Sequence, residues 1–182
     1  MEPFDSLIDM GGGNIGIMHT SIIYFVTEHE HRKSRLPSLG ALSEPSAALD
    51  VSFRRCGGLF VILHNRNALH CVVKNGDAID DPKRSEIDQE FDAVLKEHTI
   101  QSLPRAVVVE LASLDGAVVL ENSGRVLAYG AVLQPKKAGR LSGTEGSRTK
   151  AAIGASNYGL AVKISADGEI AVYHKGKEFI RM

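Results

Sequence analysis

The apolar positions of this chain fall into two regimes that meet near residue 55. Ahead of that point no period holds. Ile15-Gly16-Ile17-Met18 and Ile22-Ile23-Tyr24-Phe25-Val26 read equally as strands or as a buried, β-branched helix. Residues 32–46 hold two prolines and four serines and read as a connection with a short helix. Residues 1–45 are therefore expected to form an N-terminal extension, helical or partly irregular, and residues 46–182 the folded domain. Beyond residue 55 apolar blocks alternate with turn signals. Gly58–Leu63 carries no polar side chain and predicts a buried strand, Asn65-Arg66-Asn67 a turn, and Leu69–Val73 the returning partner strand. Asp81-Pro82 reads as a helix start, with Asp at the cap and Pro at the first helical position. Ile87, Phe91, Val94 and Leu95 then recur at helical spacing, which predicts an amphipathic helix over 83–97.

Further on, Ala106–Leu111 and Gly116–Leu120 predict two strands, Asn122-Ser123-Gly124 a turn, and Arg125–Leu133 another strand. A loop with Pro135, Lys136 and Lys137 leads to Gly146-Ser147-Arg148-Thr149-Lys150, with Ser147 as N-cap of a helix that continues through Ala151, Ala152 and Ile153. Leu160–Ile164 and Ile170–Tyr173 close the chain as a hairpin around Ala166-Asp167-Gly168. Strands outnumber helices, and tight turns join several of them. The expected fold is α/β of the α+β type: a mixed, largely antiparallel central sheet flanked by helices.

Composition narrows the partners. The 182 residues are 43% apolar and 24% charged with a formal net charge of -1, so no global field draws the chain to nucleic acid or to an anionic membrane. Any anion site must be local. Cys56 and Cys71 have neither metal-ligand nor redox-pair spacing and read as free thiols of a reducing compartment. The first nine residues contain three acids and no basic start of a signal peptide. The apolar stretch from Ile15 to Val26 is too short to span a bilayer and includes His19, Thr20 and Ser21. A soluble cytoplasmic protein without a membrane span is expected.

Four stretches could carry chemistry. Gly11-Gly12-Gly13-Asn14-Ile15-Gly16 satisfies G-x-G-x-x-G, but only ten residues precede it, and the motif has meaning only after a buried strand; a glycine-rich turn is the better reading. His29-Glu30-His31-Arg32-Lys33 could ligate a metal, yet no third or fourth ligand lies nearby, and a solvated, charged helix end is commoner. At residues 146–150, Arg148 and Lys150 fall in the first helical turn, where each cation costs about 0.3–1 kcal/mol against the helix dipole. A bound phosphate would reverse that sign; alternatively both side chains bend into solvent or meet a carboxylate such as Glu145. The stretch is not a Walker P-loop, because Arg148 and Thr149 stand where the second glycine and the lysine are needed. Finally, Asp115 opens an apolar strand, and Gly116 permits close approach of a ligand or another backbone. Such a carboxylate can hold a divalent metal or orient a hydroxyl, or it can make an ordinary Asp-Gly turn.

Taken together, Asp115-Gly116-Ala117 and Gly146-Ser147-Arg148-Thr149-Lys150-Ala151-Ala152, in that order and spacing, resemble the diadenylate cyclase (DAC) domain family. That family has an Asp-Gly-Ala strand opening, then Gly-Thr-Arg-His-Arg-Ala-Ala at a helix start, then a Ser-Glu-Glu strand end, here Ser165-Ala166-Asp167. The segment CGGLFVILHNRNALHCVVKNGDAID is similar to the family's first hairpin, and the resemblance covers roughly residues 45–175. It implies a domain that binds ATP with Mg²⁺ or Mn²⁺ and joins two ATP into cyclic di-AMP across a face-to-face pair of subunits. By the same resemblance Asp115 binds the metal and helps activate the attacking 3′-hydroxyl, with Gly116 and Ala117 beside it. Ser147, Arg148 and Lys150 hold the phosphates, Leu133 and Gln134 line part of the adenine pocket, and Gly146, Thr149, Ser165 and Asp167 complete the nucleotide site. Direct nucleic-acid binding is not implied, since the counterpart of the family's DNA-binding part is not found here. Four departures matter: Ser147 replaces a threonine and keeps its hydroxyl, Thr149 replaces a histidine, Lys150 replaces an arginine and its bidentate fork, and Ala166-Asp167 replaces a Glu-Glu pair. Turnover is one reading; a nucleotide sensor that has lost turnover, or a sheet-building assembly domain without nucleotide, are the rivals.

Overall fold

Six strands pair into a sheet: β1 (Gly58–Leu63), β2 (Ala117–Glu121), β3 (Val126–Ala131), β4 (Gly159–Ile164), β5 (Ile170–His174) and β6 (Lys177–Arg181). Their spatial order is β3-β2-β1-β4-β5-β6. The computed structural model describes residues 57–135 and 146–181. The glycine run at 11–16, the apolar stretch at 15–26, the His29–Lys33 cluster, the 1–45 extension, Cys56 and Glu145 lie outside the described residues. Within the described sheet β1 and β2 run parallel, and the other neighbours are antiparallel. The mixed, largely antiparallel sheet expected from the turn pattern is therefore the one observed.

Both faces of the sheet are buried. Phe60, Ile62, Val118, Leu120, Leu160, Val162 and Ile164 point to one side, where helices α2 (Glu86–Lys96) and α3 (Arg105–Ser113) cover them. Leu59, Val61, Leu63, Val119, Ala161 and Tyr173 point to the other, under α1 (Leu69–Val72) and α4 (Ser147–Ala155). This alternation is the period-two signature of strands buried on both faces. The α4 side is lined by small residues from both partners: Ala117, Ala131, Ala161 and Ala171 on the strands, Ala152 and Ala155 on the helix. Small side chains let the helix axis approach the sheet closely, which fixes α4 against the strand ends it serves.

Two expected strands are helical. Leu69–Val73 does not return beside β1; Leu69–Val72 is a helix, entered through a turn in which Asn65 Oδ1 accepts from Asn67 N at 2.9 Å. The reason is topological: β1 already has β2 on one side and β4 on the other, so no edge remains for a hairpin. Ala106–Leu111 belongs to α3, despite its β-branched run. Val108, Val109, Leu111 and Ala112 are buried and Glu110 is exposed, a helical and not an alternating pattern. The helix expected to start at Asp81-Pro82 starts later. Asp81 instead closes a turn, accepting from Gly76 N and Lys83 N at 2.9 Å each. Ser85 caps α2, its hydroxyl accepting from Asp88 N at 3.1 Å. The unforeseen β6 follows a tight turn in which Lys175 (φ 50) and Gly176 (φ 75) are both left-handed, the backbone of a two-residue hairpin.

On the inner side of α2, an aspartate takes a core position. Asp92 is 1% exposed, and its Oδ2 lies 2.8 Å from Nε of Arg84, whose side chain is 8% exposed. The Arg84 guanidinium sits 4.6 Å from the centroid of the Tyr129 ring on β3, and Phe91 meets that ring edge-on at 5.5 Å. Burial, reinforced by the neighbouring Asp92 carboxylate, pushes the Tyr129 hydroxyl up to about 12. Arg84 also donates from Nη1 to the Asp77 carbonyl at 3.2 Å, and Asp77 Oδ2 accepts from Val132 N at 2.8 Å. Charge buried beneath α2 is thus linked to the exit of β3.

The far end of the sheet carries a histidine pair. His64, just past β1, and His174 at the end of β5 meet edge-on at 5.8 Å. Burial first, and then Lys175, hold both imidazoles below their usual 6.5, with His64 adding to the effect on His174. The unfolded chain therefore binds protons that the folded chain refuses, and stability rises with pH in this window. The contribution is fully present above about pH 6.5 and is lost as pH falls toward the lowered folded values. Urea midpoints measured from about pH 7.5 down to about 5.5 should fall, and His64→Gln/His174→Gln should flatten that slope. An equal slope in the double variant would refute the assignment.

Candidate functional site

The strand register gathers chain ends along one edge of the sheet. Phe60 pairs with Val118 in parallel, so β1 and β2 begin at the same edge. Gly58 pairs with Ile164 and Ala117 with Ala131, so antiparallel β4 and β3 finish there. Asp115 and Gly116 therefore lead into β2 beside the start of β1, while Ser165 leaves β4 on the other side of β1. Two strand spacings, about 10 Å, separate those two positions. Helix α4 joins this edge because it runs back against β4. Its last turn lies next to the β4 entry, where Tyr158 N donates to Ala155 O at 2.9 Å, so its N-terminus faces the β4 exit.

Two glycines make the edge possible. Gly116 has φ +114, and a Cβ there would lie 2.5 Å from Gly130 C and 2.6 Å from Gly130 O, so the Asp115 turn packs directly on the β3 backbone. Gly57 has φ +66, and a Cβ there would lie 2.7 Å from Nη1 of Arg148, 2.9 Å from Ile164 O and 3.5 Å from Ala166 N. The Arg148 guanidinium thus lies over the start of β1, against the exit of β4 and one strand from the Asp115 turn. The close approach at Gly57 is one that motif reading passes over, although the glycine pair Gly57-Gly58 at a strand entry is an available signal.

Helix α4 begins one residue later than expected. Gly146, with extended φ/ψ, is the N-cap; Ser147 is the first helical residue, and no side chain caps the terminus. The first intrahelical bond runs from Lys150 N to Gly146 O at 3.0 Å, so the N–H groups of Ser147, Arg148 and Thr149 precede the helical ladder. Arg148, Thr149 and Lys150 are half-buried, and the first turn holds no acid. Among the described residues Lys150 has no carboxylate partner. The terminus thus brings backbone N–H groups that precede the helical ladder, the positive end of the helix dipole and two cationic side chains to one region, an arrangement suited to phosphate.

Leu133 and Gln134 flank the same helix. Val73 bridges to Leu133, Gln134 N donates to Val72 O at 2.7 Å, and Leu133, like Leu69 and Ala151 of α4, packs against the buried cluster on this face of the sheet. Pro135 then crosses α4 at Gly154, where a Cβ would lie 2.4 Å from the proline Cγ. Leu133 presents apolar surface and Gln134 an exposed amide. Asp167 sits apart in the β4–β5 turn, exposed, with Oδ1 accepting from Glu169 N at 3.4 Å. Ser165 holds the same turn by backbone bonds, from its N to Glu169 O at 2.8 Å and from Gly168 N to its O at 3.0 Å.

Asp115 is exposed and, among the described residues, makes no hydrogen bond or ion pair with its carboxylate. No group of three ligating His, Cys, Asp or Glu side chains occurs among the described residues. That donor set does not build an all-protein metal cage. It does fit Mg²⁺ or Mn²⁺ held by a single carboxylate together with nucleotide phosphates, the usual manner for a hard cation at a phosphate site. No helix among the described residues is long and apolar enough to cross a membrane.

Among curated proteins none matches the chain. A crystal structure described as a hypothetical membrane spanning protein from Bacillus cereus is similar, with TM-score 0.52 and 18% identity over 91% of this chain and 70% of that one. A crystal structure of DacA from Staphylococcus aureus, a double cysteine mutant, aligns with TM-score 0.46 and 18% identity over 73% of this chain and 79% of that one. The family model for the DisA bacterial checkpoint controller nucleotide-binding (DAC) domain matches residues 46–178. With most of its length so matched, and with its Asp-Gly-Ala strand opening and cationic helix start on one sheet edge, the chain belongs to the DAC family of nucleotide-binding domains.

Proposed function

We propose that this domain binds ATP with Mg²⁺ or Mn²⁺ in the cytoplasm and that two copies, face to face, condense two ATP into cyclic di-AMP and two pyrophosphates. The observation that supports the reading is that the Asp115 turn leads into β2 at the same sheet edge where the Arg148 guanidinium lies over the entry of the adjoining β1. In each half-reaction the 3′-oxygen of one ATP forms a bond to the α-phosphorus of the other. The α–β phosphoanhydride bond breaks, pyrophosphate leaves, and the hydroxyl proton passes to solvent. Asp115 would hold the metal and orient the attacking hydroxyl, while Gly116 and Ala117 bring backbone close to the nucleotide. Ser147, Arg148, Thr149 and Lys150, with the Gly146 turn, would hold the phosphates and the leaving pyrophosphate. Leu133 and Gln134 would border the adenine, with Ser165 and Asp167 at the opposite rim. When bound, the cation would neutralise charge on the phosphates, which is most of what phosphoryl transfer requires of a protein.

A second reading, a sensor that binds nucleotide without turnover, is favoured by the departures at Thr149 and Ala166, where the family has a histidine and a glutamate. Incubating the purified full chain with ATP and Mn²⁺ or Mg²⁺, followed by chromatography, separates the two. Cyclic di-AMP supports the cyclase. Bound ATP without product supports the sensor, and neither binding nor product overturns both.

A further inference from the structure

Helix α2 turns an apolar stripe outward. Ile87, Phe91 and Val94, spaced to share one helical face, are 80%, 39% and 53% exposed, while Asp92 and Leu95 take the inward positions. Helical spacing sets Glu86, Glu90 and Glu97 along one border of that stripe. All three are exposed, and none pairs with a cation among the described residues. The surface therefore asks for an occupant that is apolar and then basic.

We propose that residues 15–35 of the same chain are that occupant. Ile15, Ile17, Met18, Ile22, Ile23, Phe25 and Val26 supply the apolar part. Beyond Glu28 and Glu30, Arg32, Lys33 and Arg35 follow with no acid among them. The apolar part covers Ile87, Phe91 and Val94, and the basic end meets the glutamate border. Reach permits it: residues 36–56 span up to about 70 Å when extended, against about 16 Å for the length of an 11-residue helix such as α2. The direction is also right, because Phe60 near the start of β1 and Leu95 of α2 share one buried cluster, so the segment need not cross to the other face. A second copy docked through α2 is disfavoured, since a two-fold contact there brings two glutamate borders to one patch.

The test places a photo-crosslinking side chain in the full-length protein as Ile87→p-benzoylphenylalanine, with Gln89→p-benzoylphenylalanine on another face as control. After irradiation, monomer-mass product is digested and the joined peptides are identified by mass spectrometry. The expected result is crosslinking from position 87 to peptides within 15–35, several-fold above the control, and reduced several-fold by Glu90→Lys/Glu97→Lys. Crosslinks confined to dimer-mass product, crosslinks only to other regions, no crosslink at all, yield equal to the control, or yield unchanged by the charge reversal would each overturn the proposal.

Discussion

Asp115→Asn is expected to lower cyclic di-AMP formation by about 100-fold or more while leaving the fold intact. The substitution keeps the size and polarity of the side chain and removes only its charge. Because the carboxylate is exposed and unpartnered among the described residues, the unfolding free energy should stay within about 0.5 kcal/mol of the parent. Initial rates at saturating ATP and Mn²⁺, beside a urea melt, give both quantities. Arg148→Ala supplies the contrast: under the proposed function its guanidinium, which lies at the entry of β1, holds phosphate, so the loss should appear as weaker ATP binding as well as slower turnover. Unchanged turnover in Asp115→Asn would remove Asp115 from the reaction.

The largest loss of stability is expected from breaking the pair beneath α2. Arg84→Ala leaves the Asp92 carboxylate, 1% exposed, without its cation, a change that costs about 3–5 kcal/mol. A fall in the urea midpoint at unchanged slope would report it. The informative comparison is Arg84→Met/Asp92→Leu, in which no buried charge remains; it should be more stable than Arg84→Ala alone. If the double variant instead loses the sum of the two single losses, the groups are not coupled. The site has a stake in the result, since Arg84 reaches Asp77, and Asp77 holds Val132 at the exit of β3.

What could be read from the sequence, and what could not, follows a physical divide. Glycine-marked turns sit between adjacent antiparallel strands, so β2, β3, β4 and β5 were legible from local pattern. The helix beginning near residue 147 was legible in the same way, because its small helix-forming residues follow a glycine-marked start. Leu69–Val73 and Ala106–Leu111 mislead because strand propensity is local while the supply of sheet edges is not: β1 has both neighbours already. The apolar spacing of Ile87, Phe91 and Val94 correctly marks a helix but not which face turns inward, since the inward position goes to an aspartate with a distant cation. Nor does spacing reveal Gly57 against Arg148, a contact made only once β1, β4 and α4 have assembled.

The outer strand β6 bears on how these molecules meet one another. It is five residues long, exposes Lys177, Glu178 and Arg181, and Arg181 joins Glu178 while also reaching Glu169 at 2.6 Å. A strand from a neighbouring molecule added there would have to strip water from that ionic lattice, which makes this margin a poor template for intermolecular sheet growth. Concentrated preparations should therefore resist fibre formation by this route.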